Sequence, residues 1–228
     1  MENKSIALDG PSSAGKSTLA RRTAEHFDMI YVDTGALYRC IGLFAYRNGI
    51  LSTDRIGVTN LLPKINLEMK YGDDGLQRMI LNNEDVTDAI RMPEISKYAS
   101  DVSAMPEVRA FLLSMQRDMA VKYDVLMDGR DIGTVVLPDA GLKIFITASI
   151  EARAKRRYLE LIEKNINTTL EEVREAMISR DENDSNRAQA PLKAADDAVL
   201  LDTTDLNLDE SFKAICDLVS GRFKNGRL

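Results

Sequence analysis

Only two cysteines occur in the 228 residues, Cys40 and Cys216, and they stand far apart. That spacing excludes a disulfide framework and offers no metal-ligand pattern. No run approaches the roughly 18 consecutive apolar residues of a membrane span, and residues 1–9 lack the basic-then-apolar layout of a signal peptide. Internal repeats and low-complexity linkers are missing. Bases are outnumbered, 30 against 36 acids for a net charge of -6, so the chain carries no global basic footprint for duplex nucleic acid. The one histidine, His26, reads as a surface or capping residue. These absences lead to the expectation of a soluble, cytoplasmic chain.

With 44% hydrophobic residues the chain can bury a core, which excludes intrinsic disorder. Its length suits one sizeable α/β domain rather than two. The bases divide into eighteen arginines and twelve lysines. Arginine is the side chain of choice for bidentate phosphate contacts, so this tilt is either compositional noise or the mark of a concave phosphate site.

Five short apolar runs read as buried parallel strands: residues 5–9, 29–33, 125–128, 143–147 and 199–202. Four of them end in aspartate, at Asp9, Asp33, Asp128 and Asp202. Carboxyl ends of strands in an open α/β sheet are where such folds bind ligands, so the pattern predicts a doubly wound parallel sheet. Between the strands, Leu19, Ala20, Thr23, Ala24 and Phe27 form one core-facing helical stripe. Thr168 and Glu171 read as a capping box that turns Leu170, Val173 and Met177 inward. Asp209 reads as the N-cap of a last helix facing inward with Phe212, Ile215, Cys216, Val219 and Phe223. Residues 66–82 break the alternation with a β-hairpin pattern around Asp73-Asp74-Gly75. The stretch 151–189 is dense in arginine, with Arg153, Arg156, Arg157, Arg174, Arg180 and Arg187.

The strongest chemical signal is Gly10-Pro11-Ser12-Ser13-Ala14-Gly15-Lys16-Ser17, a complete phosphate-loop motif between a strand and a helix, with Thr18 following. Its glycines let backbone N–H groups curl around phosphate oxygens, and the helix start adds its positive end. Lys16 reaches the β- and γ-phosphates, and the Ser17 hydroxyl is the candidate Mg²⁺ ligand. No N-K-x-D run supports a GTPase, and glycine after Asp128 removes the glutamate of motor ATPases. Asp128 itself is a candidate outer Mg²⁺ group. Three further polar runs carry arginines: Asp33-Thr34-Gly35-Ala36-Leu37-Tyr38-Arg39, Asp128-Gly129-Arg130-Asp131-Ile132-Gly133-Thr134, and Arg180 through Arg187.

Together these four motifs resemble the bacterial cytidylate kinases, the CMP/dCMP branch of the nucleoside monophosphate kinases. The likeness spans nearly the whole chain, with Thr34 standing where serine is common and Ser17 where some members have threonine or glycine. The resemblance implies a P-loop NTPase fold with a five-stranded parallel sheet flanked by helices, arranged as one kinase domain over 1–228. Its core would be residues 1–35, 95–150 and 190–228, its monophosphate-binding region 36–94 with the hairpin 66–82, and its helical lid 151–189. It implies the reaction ATP + CMP ⇌ ADP + CDP, with dCMP also accepted and Mg²⁺ accompanying ATP, in pyrimidine metabolism. Carried over by position, Ser100, Arg109 and Asp131 face cytosine, with Thr34 and Tyr38 alongside in the CMP site. Arg39 and Arg130 hold the acceptor phosphate, Arg180 and Asp184 meet the ribose, and Arg187 the phosphate region. Arg153 and Arg157 approach the transferred phosphoryl group.

Base selection also has a chemical rationale. The Asp131 carboxylate accepts from the cytosine 4-amino group, whereas uracil would present O4 to it. Arg109, a donor only, suits N3 and O2. Two other readings stay open: a kinase for UMP, AMP or a small metabolite such as shikimate, and a nucleotide-dependent RNA-binding module using the basic run 153–157. The acidic net charge and the lack of an aromatic platform weigh against the latter. A monomer that binds free nucleotides, neither nucleic acid nor membrane, is expected, because no heptad seam is present.

Overall fold

A computed structural model describes residues 3–73, 75–187 and 189–223. In chain order the first elements are β1 (Ser5–Asp9), α1 (Lys16–His26), β2 (Ile30–Asp33), α2 (Thr34–Arg47) and α3 (Arg55–Leu61). There follow β3 (Leu67–Tyr71), β4 (Gln77–Leu81), β5 (Glu84–Asp85), α4 (Pro93–Ser103) and α5 (Pro106–Lys122). Then come β6 (Val125–Gly129), β7 (Leu142–Thr147), α6 (Ile150–Glu163), α7 (Leu170–Ser185), β8 (Val199–Asp202) and α8 (Leu208–Phe223). The chain divides into two compact units, residues 1–31 with 120–228 and residues 32–119.

The parallel sheet runs in the order β2-β6-β1-β7-β8, and the first unit contains β6, β1, β7 and β8. β1 lies at its centre, in register from Ser5↔Val125 to Asp9↔Gly129 on one side and from Ile6↔Leu142 to Asp9↔Phe145 on the other. Such a strand is covered on both faces, which is why Ile6, Ala7 and Leu8 are all fully buried. One face packs on α1 and α8 through Leu19, Ala20, Ala24, Ile215 and Val219 against Ile144 and Ile146. Phe27, Phe212 and Phe223 join from the rim, whereas Cys216 is only half-buried. His26 is exposed in the last turn of α1, its ring edge-on to Phe27 and Phe212.

All five expected parallel strands form, within one residue at either end. One differs in environment. Val199 and Leu200 of β8 are exposed, because β8 pairs only with β7 and forms the sheet edge. Two helix starts also differ. Thr169, not Thr168, caps α7: its hydroxyl accepts from Glu172 N (3.2 Å) while the Glu172 carboxylate accepts from Thr169 N (2.8 Å). Both registers exist in the sequence, and the one that buries Val173 and Met177 leaves Leu170 exposed. At α8 the cap is Asn207, whose side chain accepts from Glu210 N (3.0 Å). Asp209 lies in the first turn and pairs with Arg22 (2.6 Å), which stacks over Phe212.

The second unit is a helical cluster with a small antiparallel sheet. The hairpin β3–β4 pairs Leu67↔Leu81, Met69↔Met79 and Tyr71↔Gln77, and β5 adds a short third strand that the sequence pattern did not reveal. Leu67, Met79 and Leu81 face a core shared with Leu37, Ile41, Val58, Ile95, Val102 and Leu112. The turn keeps Gly75 at φ +69°; Asp74 lies outside the described residues. α4 and most of α5 share this core and belong to the same compact unit, residues 32–119.

Candidate active site

The phosphate loop leaves the central strand through Gly10, at φ +148°, where a Cβ would collide with the Ile146 carbonyl oxygen of β7. Glycine is therefore demanded by sheet packing as well as by the loop. Ser13 (φ +57°) and Gly15 (φ +83°) also adopt left-handed conformations, the kind of backbone from which phosphate-binding nests of N–H groups are built. Pro11, Ser12 and Ala14 are buried, while Ser17 and Thr18 are exposed in the first turn of α1. Lys16 is 5% exposed and its ammonium donates to the Pro11 carbonyl (2.6 Å). Burial, reinforced by Arg130 and Arg180, depresses its pKa well below the usual lysine range against the opposing pull of Asp128 and Asp9.

The Ser17 hydroxyl donates to Asp128 Oδ2 (2.7 Å), and the Tyr31 hydroxyl donates to Asp128 Oδ1 (3.1 Å). Among the described residues no group of three or more His, Cys, Asp or Glu side chains could hold a metal by itself. A serine hydroxyl backed by one carboxylate is instead the donor set of Mg²⁺ held largely by substrate phosphates and water.

Asp184, in the last turns of α7, is 1% exposed. It accepts from Arg130 Nε (2.9 Å) through one oxygen and from the Arg187 guanidinium through the other. Burial works to raise its pKa, but Arg130, Arg187 and Arg180 outweigh it and hold the carboxyl below the usual range. Asp131, next to Arg130, is also buried. Arg153 is buried at the base of α6, where its guanidinium donates to Ala148 O (2.9 Å) and Ser12 O (3.2 Å) and pairs with Asp181 (2.6 Å). It braces the phosphate loop. Arg157 is more open and pairs with Glu160 (2.8 Å), and Arg156 donates to Thr203 O (2.6 Å).

The remaining sequence-derived residues belong to the second unit. Asp33 caps α2 by accepting from Ala36 N (3.0 Å), and its own N–H donates to the Gln77 side chain (2.9 Å). Thr34 and Tyr38 are buried beyond that cap. Arg39 donates to Ser96 Oγ (2.8 Å) and Ile90 O (3.3 Å). The Arg109 guanidinium donates to Ser103 O (3.2 Å) and lies 5.7 Å from the Tyr38 ring centroid, within cation–π range. Ser100, on α4, accepts from Ser103 Oγ through its carbonyl (2.8 Å).

A family model described as cytidylate kinase matches residues 6–221. The chain belongs to the cytidylate kinase family. It is 46% identical to a cytidylate kinase of Lactobacillus gasseri over 96% of this chain and 95% of the relative. A cytidylate kinase of Caldicellulosiruptor bescii is 44% identical over 99% of both chains. An uncharacterized protein from Eubacterium ventriosum has the same fold at TM-score 0.52 and 14% identity, covering 96% of this chain and 99% of its own.

For this member of the cytidylate kinase family, sequence reasoning overlooked several supporting side chains. Tyr31 and Asp181 became visible only through their partners Asp128 and Arg153. Gln77 links β4 to the Asp33 turn across 44 residues of sequence. Asp9 gave one signal, its place at a strand end, but nothing in the sequence says what its side chain reaches.

Proposed function

We propose that the chain transfers the γ-phosphoryl group of ATP to CMP and dCMP in pyrimidine nucleotide metabolism, as a soluble cytoplasmic monomer working on free nucleotides. The observation that carries this reading is the Arg130–Asp184–Arg187 constellation in the same unit as a complete phosphate loop. Family membership at 44–46% identity supports it. Among the described residues no helix is long and apolar enough to cross a membrane.

In this reading Gly10 through Thr18 hold the triphosphate of ATP, and Lys16 neutralises its β- and γ-oxygens. The negative phosphates reverse the electrostatic penalty that Lys16 bears in the free chain. Mg²⁺, ligated by Ser17 with Asp128 behind it, would offset phosphate charge when bound. Arg39 and Arg130 orient the acceptor phosphate, itself the nucleophile, so no general base is needed. Arg187, Arg153 and Arg157 add cationic charge near the migrating group. Residues 151–189 serve as the lid that shields the transfer from water. Arg180 and Asp184 contact the ribose, and Ser100, Arg109 and Asp131 read cytosine, with Thr34 and Tyr38 completing the pocket. A coupled ADP-release assay across CMP, dCMP, UMP, AMP and GMP tests the reading. CMP and dCMP should lead, and a higher kcat/KM for UMP or AMP would refute it.

A further inference from the structure

Asp9 is the last residue of the central strand and is only 5% exposed. Its two oxygens are both engaged from one side. Oδ1 accepts from the backbone N–H of Ile132 (2.8 Å) and Oδ2 from that of Gly133 (2.7 Å). These are successive donors at the start of a wide π-type helical turn over Ile132–Val136, which directly follows Arg130 and Asp131. Two adjacent N–H groups converging on one anion form the kind of concavity that elsewhere binds phosphate, and here the chain's own side chain fills it.

We infer that Asp9 is a positioning residue for the acceptor nucleotide: its carboxylate pins the turn that carries Arg130 and Asp131, and so sets base selection without touching substrate. This rests on the reading that Arg130 and Asp131 meet the acceptor. A buried carboxylate is a costly choice for a turn cap. Burial pushes the Asp9 pKa up to about 6, with Asp131 adding repulsion, while the Gly133 and Ile132 N–H groups and the Lys16 ammonium pull it down. A neutral cap would avoid that cost but lacks two equivalent acceptors, since an amide offers one oxygen and one donor. The turn has little other freedom. A Cβ on Gly133 would sit 3.1 Å from the Lys143 side chain and 3.4 Å from Asp9 Oδ2, so the backbone is packed tightly against both. Asp131 lies one residue before the first pinned N–H, and a displacement there is passed directly to its carboxylate.

The test compares Asp9→Asn with Asp131→Asn in steady-state kinetics on CMP and UMP, with urea unfolding as the folding control. Asp9→Asn should lower the CMP:UMP ratio of kcat/KM about tenfold and raise KM for CMP, with KM for ATP changed less than about twofold, since a misplacement of about 1 Å can cost as much as a hundredfold. If Asp131→Asn collapses the ratio while folded Asp9→Asn keeps it, the inference is overturned and the base reading stands. If neither variant moves the ratio, the base reading fails and KM for CMP decides. A rise in Asp9→Asn upholds the positioning of Arg130, and no rise overturns it. Should Asp9→Asn not unfold cooperatively, Asp9→Glu takes its place, keeping charge and acceptors but moving the turn by about 1.5 Å, one bond length. Its ratio should also fall, and a wild-type ratio overturns the inference.

Discussion

Replacing Asp184 with asparagine keeps the shape of the side chain and removes one negative charge. In the wild type that charge sits between two guanidiniums, with the Asp184, Arg187 and Arg130 side chains 2%, 7% and 18% exposed. The amide leaves both arginines in a poorly solvated place with no carboxylate between them, and its NH₂ group points a donor at a donor. Breaking a buried ion pair from one side costs about 3–5 kcal/mol, well above the median of an exposed pair. For a chain of this size that is a fall in Tm of about 10 °C. Urea unfolding of Asp184→Asn without nucleotide, followed by circular dichroism between pH 3 and 8, measures it. The sign follows from the depressed carboxyl pKa. The stabilisation is fully present above the unfolded-state value near 3.8, and is lost as pH falls through the lower folded value. The two proteins should therefore differ most above pH 4 and converge in stronger acid. A loss below about 1 kcal/mol at pH 7 would refute the reasoning, because it would place the cluster in the class of solvated surface pairs.

Three other outcomes are expected. Lys16→Met should lower kcat at least about a hundredfold, the scale of one lost transition-state charge contact. The ligand-free variant should be no less stable in a melting experiment, because burial already penalises the wild-type ammonium. Relative to Asp9→Asn, the wild type should lose up to about 3 kcal/mol of unfolding free energy between pH 4 and 7. The folded chain keeps the Asp9 proton to about 6 and the unfolded chain releases it near 3.8, so ionisation disfavours the fold as pH rises; a flat or opposite trend contradicts the raised pKa. Thr169→Ala should cost about 1 kcal/mol by urea unfolding and Thr168→Ala less than half of that, and the reverse order would restore the earlier register of the cap.

The parallel strands and the phosphate loop were legible because both depend on short-range pattern. A run such as Ile6-Ala7-Leu8, ahead of a glycine-rich turn, reads as a strand, and Gly10 through Ser17 is a local geometry with few alternatives. Helix caps were less legible. Thr168-Thr169-Leu170-Glu171-Glu172 contains two capping boxes, and the choice was made by the burial of Val173 and Met177 further along. The exposure of Val199 and Leu200 was invisible for a related reason, since an edge strand and an inner strand of the same composition differ only in what lies beside them.

The site divides along the same line. Residue types and their spacing sufficed to nominate Lys16 and Ser17, because the phosphate loop is a local pattern, whereas Arg130, Asp131, Asp184 and Arg187 were nominated by the resemblance to the cytidylate kinases, with Asp131 also suited by its chemistry to the cytosine 4-amino group. Which protein groups each arginine meets came from tertiary structure. Arg153 is buried against Ser12 O, Ala148 O and Asp181, while Arg130 and Arg187 share the single carboxylate of Asp184. Asp9 acquires its partners only when residues 123 and 124 positions away are brought beside the end of β1. The sequence alone therefore determined the fold class, the phosphate loop and the kind of chemistry, all encoded in local spacing. Partnership among the charged groups came from the packing of distant segments, because a buried charge is stabilised by whatever the fold places within about 3 Å of it.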